Sequence, residues 1–536
     1  MMMEELDARA RERPRAIAIV DGDGRQGTYE DVMRASRALA RDALANVTRG
    51  SRVGVASTPG IEFCVAAYAT WRKGGVVVPI AFAHSGDDAA YVMKHSGARV
   101  VLIPPNVDGE VDEETRAKYA LAATKEGVDA EFRHVPRFRS LDASEDESMG
   151  DVVETLASDG ALIIYTSGTT GRPKGALHTH ASLYAQCAGL IEAWRWEPSD
   201  RIIHALPLHH IHGIVNAWLC AHVAGATIEF QKQFAPRGVW ARLRDPTQPR
   251  VTVFMGVPTM YVMLLRALQG NLSEEARAAS IEAASKLRLT VSGSAACPVP
   301  ILEEWRKVTG RSLLERYGMT EIGMALSNPY DENKHKPGFV GLPLPGVEVK
   351  LAPLDASEGD KSDPSKDFAL GPGELLVKGK NLFAEYFNNA DATAASFTSD
   401  GFFKTGDVAA MTSDGYWRIL GRASVDILKV GGFKVSALEI EARLLENQAI
   451  AEVAVLGIPD EAYGQRAVAL VVLDRSTETG EPVKLTEGDV IQWARARLDP
   501  KMHLRAVKFV DKMPRNAMGK INKKELQFKV FSEYFK

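Results

Sequence analysis

The chain has 536 residues, of which 45% are hydrophobic and 25% are charged, and its formal net charge is −4. This length exceeds what one hydrophobic core usually organises, so we expect two or more domains. The composition is typical of a globular protein. The slight negative charge gives no reason to expect nucleic acid or an anionic membrane as a partner.

The cysteines and the chain ends predict a cytoplasmic protein. Cys64, Cys187, Cys220 and Cys297 are scattered without metal-ligand spacing, which is typical of reduced thiols in a cytosol-like compartment. No apolar run is long enough to span a bilayer. The first residues do not have the pattern of a signal peptide, and the last are not a peroxisomal Ser-Lys-Leu signal.

Strand-like apolar runs alternate with helical patterns through most of the chain, which predicts an α/β fold. In such folds, ligands bind beyond the carboxyl ends of the strands. Two polar stretches, Ser140–Asp151 and Asp355–Asp367, are expected to be surface loops. The predicted strands are 52–56, 75–79, 100–103, 161–165, 251–257 and 287–291.

The run 161–165 leads into a loop of small, hydroxylated and glycine residues that also carries Arg172 and Lys174. Backbone N–H groups, hydroxyls and basic side chains in such a loop suit a polyphosphate. The spacing differs from a P-loop, in which Lys follows Gly and precedes Ser or Thr. The candidate ligand-binding residues of this loop are Thr166, Ser167, Gly168, Thr169, Thr170, Gly171 and Lys174.

The next motif is Leu206–Gly213, which contains His209, His210 and His212. Three histidines in four positions suggest metal binding. However, their spacing suits neither a strand face nor a pair one helical turn apart, and no Cys or carboxylate cluster accompanies them.

Two motifs follow later strand-like runs. The small residues of Ser292–Ala296 would let a flat ring lie against the backbone. In Leu314–Glu321, Tyr317 offers an aromatic face, Thr320 a hydroxyl and Glu321 a carboxylate. Mg²⁺ usually binds one or two carboxylates together with substrate phosphates.

Further along the chain, Asp407 ends the string Lys404–Asp407 and can accept two hydroxyl hydrogen bonds. A compact pattern of helices and strands begins after Gly421–Asp426, with predicted helices over 438–446 and 487–498 and predicted strands over 452–456 and 467–473. The string Pro514–Ile521 then places Lys520 beside a glycine.

These motifs, in this order and over nearly the whole chain, resemble the adenylate-forming enzymes, which include acyl-CoA synthetases, luciferases and peptide-synthetase adenylation domains. The resemblance implies an acid–CoA ligase that uses ATP, Mg²⁺ and coenzyme A. A carboxylate would attack the α-phosphate of ATP to give an acyl-AMP and pyrophosphate, and the thiol would then displace AMP. A stand-alone enzyme that loads a carrier protein, a non-catalytic nucleotide-binding regulator and a kinase-type NTPase are the alternatives.

The resemblance also implies a role for each motif residue. Adenine would lie along Ser294, Ala295 and Ala296 and against Tyr317. Ser292 and Gly293 would line the acyl pocket, and His210 would stand between the two pockets. Thr320 would contact the α-phosphate, Glu321 would bind Mg²⁺, and Asp407 with Arg422 would hold the ribose. Lys520 would reach the reacting carboxylate and the α-phosphate during adenylation.

For the whole chain, the resemblance implies a large N-terminal AMP-binding domain of several subdomains and a small mobile α+β C-terminal domain. We expect the first over residues 1–421, a hinge about Ser424 within 422–426, and the second over 427–536. Rotation of the small domain would remove Lys520 and bring Gly431 and Gly432 to the thiol tunnel.

Several strings most resemble the malonyl-CoA synthetase branch, which implies malonate or methylmalonate as the acid. A second carboxylate in a buried pocket needs a cation or several donors. Relatives have a basic residue two positions after Tyr261, where this chain has Met263. Arg266, one helical turn on, or Arg316 would have to replace it. If neither does, the acid is a short- or medium-chain monocarboxylate.

Overall fold

The computed structural model describes residues 2–81, 85–106, 110–139, 153–166, 172–270, 272–354, 368–447, 449–474, 485–515 and 521–532. Both predicted surface loops, Ser140–Asp151 and Asp355–Asp367, lie outside these residues. So do Ser167, Gly168, Thr169, Thr170 and Gly171 of the phosphate-loop prediction, and Lys520.

Within this part of the chain, the strands form three sheets before residue 423 and a fourth after it. In chain order they are β1 (Ile17–Val20), β2 (Gln26–Thr28), β3 (Arg52–Ala56), β4 (Val76–Ile80), β5 (Val100–Ile103), β6 (Glu131–His134), β7 (Gly160–Thr166), β8 (Lys174–Thr179), β9 (Arg201–His204), β10 (Thr227–Phe230), β11 (Val253–Gly256), β12 (Leu289–Ser292), β13 (Leu314–Met319), β14 (Gly323–Ser327), β15 (Leu342–Pro343), β16 (Val347–Pro353), β17 (Leu370–Gly379), β18 (Glu385–Tyr386), β19 (Phe403–Met411), β20 (Trp417–Arg422), β21 (Ile427–Val430), β22 (Phe433–Ser436), β23 (Ile450–Asp460), β24 (Gly464–Leu473) and β25 (Ala506–Phe509).

The α-helices cover both faces of the parallel parts of the sheets. In chain order they are α1 (Met2–Glu12), α2 (Tyr29–Asp42), α3 (Ile61–Arg72), α4 (Gly86–Ser96), α5 (Glu113–Lys125), α6 (His180–Trp194), α7 (Cys220–Ala224), α8 (Pro236–Arg244), α9 (Pro258–Gln269), α10 (Glu274–Ser285), α11 (Val299–Thr309), α12 (Ala390–Ala395), α13 (Ala437–Leu444), α14 (Glu487–Arg495) and α15 (Lys523–Val530). A π-helix, His212–Leu219, runs directly into α7.

Two sheets organise the N-terminal part. One has the order β15-β14-β13-β12-β11-β9-β10-β1-β2, and the other has the order β18-β8-β7-β4-β3-β5-β6. Their central strands are parallel. Because both faces of these strands are covered, β4 is buried along its whole length, as its apolar sequence predicts. Helix α3 is also buried throughout, since it lies in the core shared by the two sheets.

The smaller sheets complete the molecule. An antiparallel sheet has the order β16-β17-β19-β20, and the C-terminal sheet has the order β22-β21-β24-β23, with β25 beside β24. The hydrophobic clusters of the C-terminal part contain only residues between Leu428 and Phe531. The α/β class with a large N-terminal and a small C-terminal part is therefore confirmed.

Most predicted strands are present with small shifts. The strands predicted over 52–56 and 100–103 have these bounds, and 161–165 lies within β7. The prediction over 251–257 is too long, because Val257 caps α9 and Pro258 is its first residue. Among the described residues, no helix has both the length and the apolar character needed to cross a membrane.

Candidate active site

The candidate site lies where several strands of the two large sheets end. Strand β7 ends at Thr166, β12 at Ser292 and β13 at Met319. Since the carboxyl ends of parallel strands meet at one edge of a sheet, motifs far apart in sequence come together there.

The hairpin of β7 and β8 holds both described ends of the predicted phosphate loop. Thr166 is paired with Lys174 across the hairpin, and its hydroxyl lies 3.4 Å from the carbonyl oxygen of Lys174. The carbonyl of Pro173 accepts a 2.7 Å hydrogen bond from the Tyr91 hydroxyl. The described ends of the predicted phosphate loop therefore lie in or next to paired strands. The roles of residues 167–171 stay predictions.

Lys174 is connected to Glu321 through a tyrosine that the sequence motifs do not include. The Lys174 ammonium lies 4.6 Å from the centre of the Tyr386 ring, a cation–π distance. The Tyr386 hydroxyl donates a 2.8 Å hydrogen bond to Oε1 of Glu321. Strand β18, which carries Tyr386, pairs with β8, which carries Lys174. The two sequence-predicted residues are thus brought together by a neighbouring strand.

A buried hydrogen-bond network fixes the turn that presents Thr320 and Glu321. Nε2 of His178 lies 2.8 Å from the carbonyl oxygen of Thr320. The amide nitrogen of Asn381 donates to the carbonyl oxygen of Ile322 at 2.6 Å. The amide nitrogen of Gln186 donates to the carbonyl oxygen of Asn381 at 2.9 Å. Burial lowers the pKa of His178 to about 4, so this ring is neutral at neutral pH.

Glu321 is the predicted ligand for Mg²⁺. Its side chain is buried, and burial raises the pKa of its carboxyl, an effect that the Tyr386 hydroxyl and Lys174 partly oppose. No group of three or more metal-ligating side chains occurs among the described residues. This donor set fits a Mg²⁺ ion that takes one carboxylate from the protein and its other ligands from phosphates and water.

Tyr317, Asp407 and Arg422 form one hydrogen-bonded group. The Tyr317 hydroxyl donates to one oxygen of the Asp407 carboxylate at 2.5 Å, and Nε of Arg422 donates to the other at 3.1 Å. Antiparallel pairing of β19 with β20 places Asp407 opposite Arg422. Burial raises the pKa of Asp407, and Arg422 opposes that rise. The arrangement agrees with the predicted partnership of Asp407 and Arg422, whereas ribose binding stays a prediction.

The backbone becomes exposed shortly after the buried end of β12. Ser294, Ala295 and Ala296 are exposed, whereas Ser292 is buried. Ser294 has a φ of 70°, which is rare for a residue with a side chain, and its hydroxyl lies 3.2 Å from Nδ1 of His212. The segments predicted to contact adenine and the acyl group therefore differ in exposure, and their roles stay predictions.

His210 lies beside this region, half-buried, with its ring centroid 4.3 Å from that of His209. The structure does not support metal binding by the three histidines, because no metal-ligating cluster is found in the described part of the chain. The predicted position of His210 between two pockets stays a prediction.

Arg316 is a buried cation at the acyl end of the site. It is 5% exposed, and neither its Nε nor its Nη2 has a hydrogen-bond partner. A Cβ at Gly293 would overlap the Arg316 guanidinium in its present position, so the guanidinium lies directly against the Gly293 backbone. Burial lowers the pKa of Arg316 to about 9, because an unpaired charge away from water is unfavourable.

Met263 and Arg266 have a different environment. Met263 is 47% exposed on α9. Nη2 of Arg266 lies 2.8 Å from Oδ2 of Asp474 at the end of β24, and its side chain is 47% exposed. Of the two arginines considered as replacements for the missing basic residue, Arg316 is therefore the one with a buried guanidinium next to Ser292 and Gly293.

The predicted hinge and tunnel residues lie at the start of the C-terminal part. Ser424 is exposed between β20 and β21. Gly431 and Gly432 form the two-residue turn between β21 and β22, with φ of 58° and 84°, values that favour glycine. The backbone N–H of Gly431 donates to the carbonyl oxygen of Tyr463 at 2.8 Å.

Sequence reasoning missed Tyr386 and the supporting network around His178. Tyr386 lies in a two-residue strand without a motif, so no sequence pattern pointed to it. It also missed Asn216, which is fully buried in the π-helix. A polar residue inside the apolar run 214–219 was a signal that could have identified Asn216.

The fold and the motif residues together indicate an α/β enzyme that binds a nucleotide. Residues 6–387 match the model of the AMP-binding enzyme family, and residues 439–520 match the model of the AMP-binding enzyme C-terminal domain. The chain belongs to the AMP-binding enzyme family.

Individual relatives cover nearly the whole chain. It is 41% identical over 535 residues to "Malonate--CoA ligase ACSF3, mitochondrial" of Mus musculus, an alignment that covers 95% of this chain and 88% of that protein. The structure of ATP-bound MatB from Rhodopseudomonas palustris is 31% identical, with a TM-score of 0.83 and coverage of 100% of this chain and 99% of that one. A malonyl-CoA ligase ternary product complex with methylmalonyl-CoA and AMP bound is 36% identical, with a TM-score of 0.63 and coverage of 93% and 97%.

Proposed function

We propose that the protein is an AMP-forming malonate–CoA ligase that uses ATP and coenzyme A as co-substrates. The relatives named above support this activity, and the single structural observation that carries the choice of acid is the unpaired, buried guanidinium of Arg316 beside Ser292 and Gly293. A second carboxylate would neutralise this charge and accept hydrogen bonds from the free N–H groups of the guanidinium. Methylmalonate, which has the same two carboxylates, is the closest alternative acid.

The proposed reaction has two half-reactions. In the first, a carboxylate oxygen of malonate bonds to the α-phosphorus of ATP, and the bond to the β-phosphate oxygen breaks to release pyrophosphate. In the second, the thiolate sulfur of coenzyme A bonds to the acyl carbon, and the bond to AMP breaks. Phosphoryl chemistry of this type depends mainly on positioning and charge neutralisation.

The residues of this chain would supply positioning and charge. We propose that Lys174 contacts the phosphates from β8, that Thr320 donates to the α-phosphate, and that Asp407 accepts the ribose hydroxyls. Lys520 is proposed to contact the reacting carboxylate and the α-phosphate. A bound Mg²⁺, which Glu321 would hold, supplies charge neutralisation to the phosphates.

We further propose the domain limits 1–421, 422–426 and 427–536, with rotation of the small domain between the half-reactions. The higher TM-score with the ATP-bound MatB structure than with the product complex supports assigning the present arrangement to the adenylation step. In this arrangement Arg266 is paired with Asp474 of the C-terminal part.

A cytoplasmic location is also proposed. The described cysteines are all free and buried, as expected in a reducing compartment. The mouse relative is called mitochondrial, so a mitochondrial location is the alternative. Fractionation of cells that express the tagged full-length chain would decide between them.

The activity is tested by incubating the protein with ATP, Mg²⁺ and coenzyme A and a panel of malonate, methylmalonate, acetate, butyrate and a medium-chain fatty acid. We expect malonate to give the highest kcat/KM for pyrophosphate release, with malonyl-CoA and AMP as the other products. A profile dominated by a monocarboxylate would contradict the proposed acid. Release of ADP instead of AMP would contradict the proposed reaction.

A carrier-protein loader is the second candidate. It would form malonyl-AMP and release pyrophosphate, but coenzyme A would not stimulate turnover. Omitting coenzyme A from the same assay separates these two outcomes.

A further inference from the structure

A group of buried polar atoms without hydrogen-bond partners lies around the acyl end of the site. They are Nε and Nη2 of Arg316, Nε2 of His212, and both side-chain amide atoms of Asn216. Each of these residues is at most 5% exposed. Buried polar groups in folded proteins nearly always have partners, so a group of them at one place indicates polar atoms of a ligand.

Arg316 on β13 and His212 in the π-helix come together beside the end of β12. Ser292 ends β12 and is paired with Glu315, the residue before Arg316, on β13. His212 contacts Ser294 and lies close enough to Arg316 for that charge to contribute to lowering its pKa, for which burial is the main cause. His212 is therefore neutral at neutral pH. Its free Nε2 carries an N–H when the Ser294 hydroxyl donates to Nδ1.

Asn216 belongs to this group through the geometry of its helix. His212 and Asn216 are four residues apart in the π-helix His212–Leu219, a separation that places two side chains on the same helical face. The neighbours of Asn216 in this helix are apolar, and π-helical turns are frequent at functional sites. An unpaired amide at this position has no packing advantage over leucine, which has a similar size.

We propose that Asn216 is a specificity-determining residue that donates a hydrogen bond from Nδ2 to the distal carboxylate of the acid. His212 donates a second hydrogen bond, and Arg316 supplies the charge. This set of donors replaces the basic residue that the resemblance leads one to expect at Met263. The inference rests on the proposed function, because it names how that same site recognises a dicarboxylate.

The chemistry of the group explains why a dicarboxylate would be selected. A carboxylate has about four acceptor positions, and the guanidinium, amide and imidazole supply donors for them. A monocarboxylate of the same length would leave these buried groups unpaired. Sites built around hydrogen bonds reject analogues that lack the matching group far more strongly than apolar pockets reject a missing methylene.

The test compares Asn216→Leu with wild type, using malonate and butyrate as probes. We expect Asn216→Leu to raise the KM for malonate and to lower kcat/KM for malonate by about 10- to 100-fold, the loss of one hydrogen bond to a charged group. The KM for ATP should not change, and the kcat/KM for butyrate should not fall. A merely structural role for Asn216 would lower activity with both acids together.

Val215→Ala is the matched control, since it alters the same helix without removing a polar group, and we expect it to preserve the ratio of malonate to butyrate activity. If Asn216→Leu does not fold, Asn216→Ser is the second variant, and the same loss of preference is expected. A folded variant whose malonate-to-butyrate ratio stays within threefold of wild type would overturn the role of Asn216. Wild-type protein that does not use malonate would instead overturn the proposed function.

Discussion

Glu321 is the residue on which the proposed use of Mg²⁺ depends most directly. Replacing its carboxylate by the amide of Glu321→Gln keeps the size of the side chain but removes the charge that a hard cation prefers. We expect pyrophosphate release to fall at least ~100-fold, corresponding to about 3 kcal/mol of lost stabilisation. Steady-state assays over a range of Mg²⁺ concentrations measure this loss.

Tyr386→Phe is the control for this substitution. It leaves the Glu321 carboxylate in place and removes only the 2.8 Å hydrogen bond from the tyrosine hydroxyl, so we expect a reduction of about tenfold or less. If Glu321→Gln retained activity within fivefold of wild type at every Mg²⁺ concentration, Glu321 would not be the metal ligand.

Glu315, next to Arg316, gives a pH-dependent prediction. Burial raises the pKa of Glu315 to about 8, although the backbone N–H of Gly338 donates to its carboxylate at 2.9 Å. Between the ordinary pKa of a glutamate and this raised value, the folded state binds more protons than the unfolded state. Stability therefore falls as pH rises through this window, by about 5 kcal/mol in total.

The variant Glu315→Gln cannot ionise, so the pH dependence from this site should disappear. We expect the midpoint of thermal unfolding to fall more for wild type than for Glu315→Gln between pH 5 and pH 8.5. Scanning calorimetry of both proteins at the two pH values measures this difference. Parallel curves for the two proteins would contradict the raised pKa.

The candidate-site residues that lie in dense motifs could be predicted from the sequence. The residues that support them through hydrogen bonds could not. The sequence reasoning named Asp407 and Arg422 as partners, and the structure pairs them. Tyr386, by contrast, reaches Glu321 from a strand 65 residues away. Such contacts depend on which strands become neighbours, and no local pattern contains that information.

At the scale of secondary-structure elements, the start of α15 is held by a buried charge cluster. The Lys523 ammonium lies 2.5 Å from Oδ1 of Asp426 in the predicted hinge and 2.7 Å from Oε1 of Glu441 on α13. Asp426 also accepts the backbone N–H of Arg422 at 3.0 Å. One lysine thus joins the hinge to two helices of the C-terminal part.

Removing this lysine should strongly destabilise the C-terminal part. Lys523→Met leaves two buried carboxylates without their cation, and breaking a buried pair in this way costs about 3–5 kcal/mol. We expect faster proteolysis after residue 422 and a lower midpoint of thermal unfolding, as measured by limited proteolysis and scanning calorimetry.

Lys524→Met is the matched control, because it removes a neighbouring lysine that has no part in this cluster. Lys523→Arg, which retains the positive charge, should recover part of the stability. Equal proteolysis rates for Lys523→Met and Lys524→Met would show that the cluster does not stabilise the hinge.

The elements themselves were predictable to different degrees. The strand 52–56 lies between Ser51 and Ser57, and the strand 100–103 lies between Arg99 and Pro104, so polar residues and a proline mark their ends. The π-helix His212–Leu219 was not predicted, since its apolar residues would equally suit a buried α-helix or strand. Only the backbone hydrogen bonds distinguish these possibilities.

At the scale of the whole molecule, Arg266 and Asp474 join the N-terminal and C-terminal parts. Both side chains are partly exposed, and such pairs contribute about 0–1 kcal/mol. If the present arrangement belongs to the adenylation step, Arg266→Ala should lower the rate of pyrophosphate release by about fivefold or less. Transfer of a preformed malonyl-AMP to coenzyme A should not change.

The variant Arg266→Ala also tests whether Arg266, rather than Arg316, binds the acid. Because Arg266 is exposed and paired with Asp474, the KM for malonate should stay within about twofold of wild type in Arg266→Ala. Asp474→Ala is the control that breaks the pair from the other side and should have the same effect. A tenfold higher KM in Arg266→Ala alone would indicate that Arg266 contacts the acid.

The class of fold and the division into a large and a small part followed from the alternation of strands and helices and from the order of the motifs. The location of the acid-binding cation did not. Sequence spacing placed Arg266 near Met263 on one helical face, but only the fold shows that this face is exposed. Arg316 is buried because β13 passes beside Gly293, a contact between strands that the sequence does not reveal.

Recognition of the second carboxylate is tested by the ratio of kcat/KM for malonate to that for butyrate, measured in wild type and in Arg316→Met. We expect a ratio well above one in wild type and a fall of at least ~100-fold in the variant, since a fully desolvated charge pair is lost. Arg316→Lys, which keeps a positive charge, should retain more of the preference. A folded Arg316→Met protein with an unchanged ratio would contradict the claim that Arg316 recognises the second carboxylate.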